Sequence, residues 1–423
     1  MSKKCRPKLI FTVWIILGLL GIFLFSAGLS SFIYDIFVNY RTSIKILFII
    51  SGISLITISA RKIFNYIIKS VGKSNGNKDL NREDINNIIY RERVLAKGPK
   101  VVVIGGGTGL SVLLRGLKEF TSNITAIVTV ADDGGGSGIL REDLGMLPPG
   151  DIRSCILALA NTEPTMEKLL QYRFSEGKLK GQNFGNLFLA AMNEIYGSFE
   201  MAVKETSNVL AVTGKVLPMT LEDVILYAEL ENGEIVEGES EIPKRCKEIS
   251  SKIRKIYIEP KMSYPLIEAI EAIEEADLIV LGPGSLYTSV IPNLLVNDMV
   301  NKIYKSKAQK VYITNVMTQP GETDDYTVLD HVEAILAHSR EDLLDYVIVN
   351  TEEIPQEVLK KYTSDGSRPV ILGKEDEQIL KEKGIQLIKE NLIDIKKDYI
   401  RHNSILLSQL LIEIAKKKPI KSI

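Results

Sequence analysis

The segment that begins at residue 101 constrains the fold of this chain more than any other feature. The four apolar residues of Val101–Ile104 are typical of a central strand in a parallel sheet. The turn that follows consists of Gly105, Gly106, Gly107, Thr108 and Gly109. A helix-forming stretch begins directly after it, and the free N–H groups at a helix start favour an anion such as phosphate. The segment therefore predicts the first unit of a Rossmann-like domain.

The glycine turn departs from the usual dinucleotide fingerprint. Counted from Gly105, the third glycine position of G-x-G-x-x-G holds Leu110, and counted from Gly107 it holds Val112. Ordinary NAD binding is therefore not specified, and a merely tight strand–helix turn is the alternative.

A second glycine-rich segment follows the predicted strand over residues 124–131. Its first three residues are Asp132, Asp133 and Gly134. Asp132 lies about where a ribose-binding acid follows the first turn of such domains. Alternatively, the two carboxylates hold Mg²⁺ near a phosphate, or the segment is a flexible Asp–Gly turn.

Further strands are predicted at residues 276–281, 311–314 and 347–350. Gly284 and Ser285 follow the strand over residues 276–281, and Asn315 follows the strand over residues 311–314. A short motif with Asn183 and Asn186 precedes a predicted helix. Asn186 either caps this helix or forms a hydrogen bond with an amide of a ligand. Strands that alternate with helices predict an α/β, Rossmann-like and mainly parallel sheet covered on both faces. Alternating segments between residues 212 and 258 predict a small antiparallel excursion.

The N-terminal region carries two apolar runs, residues 9–30 and 46–60. Each approaches or exceeds the roughly 20 residues that span hydrocarbon. Lysine and arginine flank both runs on their outer sides, which favours a cytoplasmic location for both ends. We therefore predict a two-helix transmembrane hairpin over residues 1–69 that anchors a cytoplasmic α/β domain in the cell membrane.

Domain boundaries follow from the change in composition. Residues 70–99 are polar and charged and predict a linker, and residues 100–423 predict the ligand-binding domain. The linker contains Val71-Gly72-Lys73-Ser74, which looks like the end of a P-loop, but the required first glycine is Ile67. We interpret that match as chance.

Composition and spacing argue against several functions. The net charge of −1 offers no basic surface for nucleic acid. The three cysteines form no CxxC pair, and the three histidines show no HExxH or zinc spacing. The segment around Ser137 lacks the G-x-S-x-G pattern of hydrolases. No nucleophile, general base or metal ligand set is evident, so no catalytic or metal-binding residue is predicted.

Five longer stretches of the chain carry a resemblance to a known family. They are VVVIGGGTGLSVLLRGLK, ITAIVTVADDGGGSGILRED, LPPGDIRSCILALAN, ADLIVLGPGSLYTSVIPNLLV and YITNVMTQPGETDDYTVLDHV. From about Lys100 onward the chain resembles the YvcK-type gluconeogenesis factors of the YvcK/CofD-like family. The resemblance implies a Rossmann-like fold that binds a UDP-sugar, typically UDP-N-acetylglucosamine. It also implies a role in carbon-dependent control of cell-wall synthesis and cell shape, without required catalysis or cofactor.

The resemblance places candidate ligand contacts on matching motifs. The first glycine turn, the Asp132–Asp133 pair, Asn183 with Asn186, and Gly284 with Ser285 fall on motifs that face the ligand. In the C-terminal part, Tyr362 would stack on uracil or bond a sugar hydroxyl, and Arg401 would clamp a diphosphate. A packing tyrosine and a surface arginine are the alternatives. Where relatives read His-Ser-Leu-Gly-Asn, this chain has Gln182-Asn183-Phe184-Gly185-Asn186, so contacts from the first two positions are in doubt.

Three functional hypotheses remain at this point. The first is a binding module that senses a UDP-sugar at the membrane, with cell-wall synthesis proteins and a second copy of the chain as candidate partners. The second is a CofD-like 2-phospho-L-lactate transferase that uses Mg²⁺. The third, an NAD-dependent enzyme, is disfavoured because Leu110 breaks the fingerprint.

Overall fold

The computed structural model describes residues 6–35, 47, 49–63, 90–396 and 399–417. The chain divides into two compact units, Met1–Arg93 and Val94–Ile423.

Two helices of the first unit, among its described residues, pack through glycine. They are α1 (Arg6–Asp35) and α2 (residues 49–63). A Cβ atom on Gly52 would lie only 2.7 Å from the backbone nitrogen of Phe25, so glycine permits the close approach of α2 to α1.

The prediction of a transmembrane hairpin needs correction. Within the described ranges we find no helix that combines the length and the apolar character needed to cross a membrane, for which about 20 consecutive apolar residues are required. The predicted multi-pass membrane location therefore has no support from these helices. The predicted outer turn and most of the predicted linker, residues 36–46 and 70–89, lie outside the described residues.

The second unit is an α/β domain with a seven-stranded parallel sheet. Its strands lie in the order β10-β9-β8-β7-β1-β2-β3. These strands are β1 (Val101–Gly105), β2 (Ile124–Val128), β3 (Lys215–Pro218), β7 (Leu278–Leu281), β8 (Gln309–Ile313), β9 (Tyr346–Asn350) and β10 (Gln386–Glu390). The sequence order runs outward in both directions from the β1–β7 pair, which makes that pair the topological switch point of the sheet.

Two smaller antiparallel sheets accompany the main one. The first, in the order β5-β4-β6, consists of β4 (Ile225–Leu230), β5 (Ile235–Glu237) and β6 (Ile253–Glu259). The second pairs β11 (Ile393–Lys396) with β12 (Tyr399–His402). The predicted antiparallel excursion is confirmed, as is the mainly parallel α/β sheet.

Helices connect the strands of this unit. They are α4 (Gly107–Leu117), α5 (Gly135–Leu144), α6 (Gly150–Leu159), α7 (Pro164–Gln171), α8 (Phe184–Tyr196), α9 (Phe199–Val209), α10 (Ile242–Ile249), α11 (Ile267–Glu275), α12 (Ile291–Leu295), α13 (Met299–Lys305), α14 (Val328–Ala337), α15 (Gln356–Ser364), α16 (Lys374–Glu382) and α17 (Ser404–Ala415). A further helix, α3 (residues 90–96), precedes β1 and includes the boundary between the two units at Arg93. A π-helical turn, Leu286–Val290, precedes α12.

The core forms where apolar strands meet the apolar faces of these helices. Every residue of β1 and β7 is buried, as expected for strands with helices on both sides. Helix α4 buries Leu110, Leu113, Leu114 and Leu117, whose spacing of three and four residues places them on one face. Leu110 thus packs in the core at the position where an NAD fingerprint has its third glycine.

Candidate functional site

A groove of about 410 Å³ lies at the carboxyl edge of the main sheet, at its switch point. Its walls come from the turns after β1, β7 and β8, from helix α15 and from strand β12. The lining residues are Thr108, Gly109, Val112, Pro283, Gly284, Ser285, Asn315, Val316, Met317, Gln319, Tyr362, Tyr399, Ile400, Arg401 and His402.

The first glycine turn brings backbone N–H groups to this groove. Gly106 precedes α4 and supplies no side-chain cap. The Gly107 N–H is bonded to the Asp151 carboxyl group at 2.7 Å, and the next two residues of the first turn, Thr108 and Gly109, line the groove. Gly107 adopts φ +69°, a conformation that favours glycine. A Cβ on Gly109 would lie 2.7 Å from the carbonyl oxygen of Pro283. The turns after β1 and β7 therefore touch, and glycine at position 109 permits this close approach.

A hydrogen-bonded chain runs from the groove into the interior. The Ser285 hydroxyl donates to Oε1 of Gln319 at 2.6 Å. The Nε2 group of Gln319 donates in turn to the Glu322 carboxyl group, which is 3% exposed. Gln319 was not among the predicted contacts. Its signal was the Gln-Pro-Gly turn after β8, at the same edge of the sheet as the glycine turns.

The C-terminal part closes the opposite wall of the groove. The Tyr362 hydroxyl accepts the backbone N–H of Ile400 at 2.8 Å, which ties α15 to β12 and leaves the phenol ring at the groove. The Lys361 ammonium lies 4.3 Å from the centre of the Tyr399 ring. Arg401 is exposed, and no hydrogen bond or ion pair of its guanidinium is found within the described part of the chain.

His402 lies deeper in the same wall. One ring nitrogen, Nε2, is 3.1 Å from the carbonyl oxygen of Thr314. Burial lowers the pKa of His402 to about 4, so the ring is neutral at pH 7 and adds no charge to the groove.

The predicted contacts divide between the groove and its surroundings. Seven of them line the groove: Thr108, Gly109, Gly284, Ser285, Asn315, Tyr362 and Arg401. Gly105, Gly106 and Gly107 form the end of β1 and the start of α4, behind its surface. The remaining five, Asp132, Asp133, Gly134, Asn183 and Asn186, are not among the lining residues.

Asn183 and Asn186 act locally at the start of α8. Asn183 accepts the backbone N–H of Asn186 at 3.2 Å and donates from Nδ2 to the Gln171 carbonyl at 3.1 Å. Asn183 is therefore the cap of α8, a role that we had considered for Asn186. The Asn186 side chain is buried, and its Oδ1 atom has no partner within the residues described.

A second polar region, which we call the acidic cluster, consists of Asp132, Asp133, Asp151, Glu239 and Glu322. Asp132 accepts the Gly134 N–H at 2.9 Å, and Asp133 accepts the Ser240 N–H at 2.9 Å. Asp151 accepts the Gly107 N–H at 2.7 Å, which connects this cluster to the first glycine turn.

In four of these residues, Asp132, Asp151, Glu239 and Glu322, burial is the largest cause of a raised pKa, and the charge of a neighbouring carboxylate adds to it. Burial, followed by the neighbouring Asp132, raises the pKa of Asp151 to about 6. The same two causes raise the pKa of Glu239 to about 7. Burial and the proximity of Glu239 raise the pKa of Glu322 to about 8. Sequence reasoning missed these last three residues because no local pattern marks a carboxylate for burial.

The acidic cluster fits Mg²⁺ poorly. Among the residues that the structure describes, no group of three or more His, Cys, Asp or Glu side chains is arranged to hold a metal ion. One oxygen each of Asp132 and Asp133 is already bonded to a backbone N–H. Hard cations need several free oxygen ligands, so we derive no step through a metal here.

Comparison with known proteins identifies similar chains. Residues 101–393 match the family described as 2-phospho-L-lactate transferase CofD. A putative gluconeogenesis factor of Clostridium acetobutylicum is 50% identical over 96% of this chain and 90% of its own length. The gluconeogenesis factor of Bacillus subtilis is 49% identical over 76% of this chain and all of its own length. The crystal structure of protein BH3568 from Bacillus halodurans is similar with a TM-score of 0.72, at 49% identity, over 75% of this chain and 100% of that one.

Proposed function

This chain belongs to the gluconeogenesis factor family and carries its CofD-type domain, and on that premise we propose that its groove binds a nucleotide sugar. UDP-N-acetylglucosamine is the leading ligand. Its binding would serve carbon-dependent control of cell-wall synthesis and cell shape, and the protein acts by binding, without turnover.

One observation carries this proposal. The groove joins three kinds of contact that a sugar nucleotide needs. The N–H groups of Thr108 and Gly109, in the first turn of α4, suit phosphate oxygens. The exposed guanidinium of Arg401 suits a diphosphate, which it can bind through two parallel hydrogen bonds. The Tyr362 ring offers a face to a base or sugar.

The absence of a strong base in the groove favours binding over catalysis. Its one histidine, His402, is half-buried, and burial of its ring lowers its pKa to about 4. A general base that works near neutral pH needs a pKa near 7 and access to the substrate. His402 does not meet the first of these requirements.

Titration calorimetry on the full chain tests the proposal. UDP-N-acetylglucosamine, GDP and NAD are compared with and without Mg²⁺. We expect the UDP-sugar to bind, the affinity to be independent of Mg²⁺, and the variant Arg401→Ala to bind about 30-fold more weakly. No heat with the UDP-sugar and Mg²⁺-dependent binding of GDP would reject the proposal in favour of a transferase.

The second candidate function is phospholactate transfer. It is favoured by the family match over residues 101–393 and by the Asp132–Asp133 pair beside the glycine-rich start of α5. It ranks second because both carboxylates are bonded to backbone N–H groups. Turnover of a phospholactate donor by the full chain with Mg²⁺ would establish it.

A further inference from the structure

We propose that an anionic ligand binds to the groove together with a proton, which the buried Glu322 carboxyl group takes up and which Gln319 and Ser285 couple to the groove wall. The inference rests on the proposed function, since it requires a diphosphate in the groove. It adds a form of regulation to that site, because the affinity for the ligand then falls as pH rises.

The Glu322 carboxyl group is the site of this proton. It is 3% exposed and accepts hydrogen bonds from Nε2 of Gln319 and, at 3.3 Å, from the Thr288 hydroxyl. Its Oε2 atom has no hydrogen-bond partner among the residues that the structure describes. Burial, with the charge of Glu239 second, raises the pKa of Glu322 to about 8. The carboxyl group therefore changes its charge near physiological pH.

The titratable groups that face Glu322 come from three elements. They are Glu239 after β5, the Tyr287 phenol in the π-helical turn and the Cys246 thiol of α10. Burial raises the pKa of Tyr287 and raises that of Cys246 to about 11, so both are uncharged at neutral pH. Burial also raises the pKa of Glu239 to about 7. Glu322 and Glu239 are thus the two groups of this set that titrate near neutral pH, and each disfavours ionisation of the other.

The ionised and the protonated form of Glu322 impose different hydrogen bonds on Gln319. An ionised carboxylate only accepts, so it holds the Gln319 NH₂ group, and the Gln319 oxygen accepts the Ser285 hydroxyl at 2.6 Å. In that state Ser285 offers only lone pairs to a ligand. A protonated carboxyl group can instead donate to the Gln319 oxygen once the amide reverses. The NH₂ group then faces Ser285, whose hydrogen becomes free for a ligand.

Ser285 lies beside the turn that suits phosphate. A Cβ on Gly109 would be 3.3 Å from the backbone nitrogen of Gly284, the residue before Ser285. Thr108, Gly109 and Ser285 all line the groove. A hydroxyl that donates stabilises a phosphate oxygen, whereas one that presents lone pairs repels it. The negative charge of ionised Glu322, one side chain behind Ser285, acts in the same direction. An anionic ligand therefore prefers the protonated form.

The direction of the pH dependence follows from this preference. Well below pH 8 the free protein already carries the proton on Glu322, and the affinity is highest. Above pH 8 the free protein has lost the proton, which must be taken up again on binding, so the affinity falls. With a pKa of about 8, a ligand that binds only the protonated form is bound about 10-fold more weakly at pH 9 than at pH 6.

Titration calorimetry of the full chain with UDP-N-acetylglucosamine tests the inference between pH 6 and 9 at constant ionic strength. We expect the dissociation constant to be about 10-fold larger at pH 9 than at pH 6. Heats measured at pH 8 in phosphate and in Tris, two buffers that differ in ionisation enthalpy, should report the uptake of about half a proton per ligand. This second measurement needs no variant.

Two variants assign the proton to Glu322 and its coupling to Gln319. Glu322→Gln has a side chain of the same size that is uncharged at every pH, so its affinities at pH 6 and 9 should agree within about 3-fold and no proton should be taken up. Gln319→Leu keeps the Glu322 carboxyl group but separates it from Ser285. Only the charge of Glu322 then acts on the ligand, and the change in affinity should fall to about 3-fold.

Glu275→Gln is the matched control. It removes an exposed carboxylate that pairs with Lys100 at 2.8 Å and that does not line the groove. The 10-fold change between pH 6 and 9 should therefore remain, at about the size found in the natural protein.

The outcomes separate this inference from the proposed function. Equal affinities of the natural protein at pH 6 and 9, or a pH dependence that persists in Glu322→Gln, overturn the inference and leave UDP-sugar binding intact. If the UDP-sugar does not bind at any pH in this range, both are overturned. If Glu322→Gln does not fold, the proton uptake of the natural protein and the result for Gln319→Leu decide: no uptake, or an unchanged pH dependence in Gln319→Leu, overturns the inference.

Discussion

The groove and the acidic cluster lie beside the same glycine turn but have opposite electrostatic character. The groove exposes the cation of Arg401, and Lys361 lies at its rim over Tyr399. The acidic cluster holds five carboxyl groups, and the pKa values of Asp132, Asp151, Glu239 and Glu322 are raised, with burial as the largest cause. The difference teaches that glycine turns only open the edge of the sheet. The elements packed against each turn set the charge of the side chains around it.

The two regions are connected through hydrogen bonds rather than isolated. Asp151 accepts the Gly107 N–H from the cluster side, and Gln319 joins Glu322 to Ser285 in the groove. A substitution in the acidic cluster should therefore alter the hydrogen bonds of the groove, and the reverse should also hold. The contrast between them also predicts opposite responses of stability to pH.

The largest expected effect comes from Glu322. Because burial raises its pKa to about 8, the folded state keeps a proton that the unfolded state releases above about pH 4.5. Stability is therefore fully present below pH 4.5 and is lost as pH rises toward 8. We expect Glu322→Gln to remove on the order of 3 kcal/mol of this pH-dependent loss, measured by urea unfolding from pH 5 to 8.

The control for this experiment is Glu275→Gln, because Glu275 is an exposed carboxylate that pairs with Lys100 at 2.8 Å. Its variant should keep the natural pH dependence from pH 5 to 8. Equal losses in the natural protein and in Glu322→Gln would show that Glu322 ionises normally in the folded state.

Arg401 gives the next effect, on affinity. Arg401→Ala removes the exposed guanidinium of the groove, so the affinity for UDP-N-acetylglucosamine should fall about 30-fold, and Arg401→Lys should recover part of it. Arg254→Ala is the control, since Arg254 is exposed but pairs with Glu229 in the antiparallel sheet. If Arg401→Ala binds UDP-N-acetylglucosamine as tightly as the natural protein, the charge of Arg401 does not contribute to ligand binding, and the proposed contrast between groove and acidic cluster is wrong.

His402 should produce a pH dependence of the opposite sign. Burial lowers its pKa to about 4, so between about pH 4 and 6.5 the unfolded state binds a proton that the folded state does not. Stability is lost as pH falls through this window. His402→Gln should remove on the order of 1–2 kcal/mol of the loss, measured by urea unfolding at pH 4.5 and 7. A folded-state NMR titration of His402 with a midpoint near 6.5 would contradict this.

Lys361 should give the smallest effect. Its ammonium lies over the Tyr399 ring and is exposed to solvent, where such interactions are weak and screened by salt. Lys361→Met should weaken UDP-N-acetylglucosamine binding about 3-fold at low salt and less at high salt. Lys360→Met, one residue earlier, should leave the affinity unchanged. If Lys361→Met loses more affinity than Arg401→Ala, Lys361 and not Arg401 is the more important cation for binding.

Sequence patterns predicted most of the main sheet because they are local. The apolar strands β1, β7, β8 and β9 and the alternation in β4 each depend on a few consecutive residues. The edge strand β10 was missed because its sequence, Gln386–Glu390, is mostly polar and only partly buried. The short hairpin β11–β12 was missed for the same reason, although it supplies Arg401 to the groove.

The candidate site shows the same division. The glycine turns, Ser285 and Asn315 could be read from the sequence, because they directly follow apolar strands whose carboxyl ends share one edge. Asp151, Glu239 and Glu322 could not, because their pKa values depend on burial and on neighbours from distant parts of the chain. Asn183 was predicted as a ligand contact, and its position as the cap of α8 emerged only from its hydrogen bonds.

The sequence by itself therefore determined the α/β class, the position of the glycine-rich turns and the family, since these depend on short-range patterns of apolar residues and glycine. Only the tertiary structure decided which polar residues share the groove and which are buried apart from it. The physical reason is that hydrogen-bond direction and pKa are set by partners brought together from distant segments, as Ser285, Gln319 and Glu322 are.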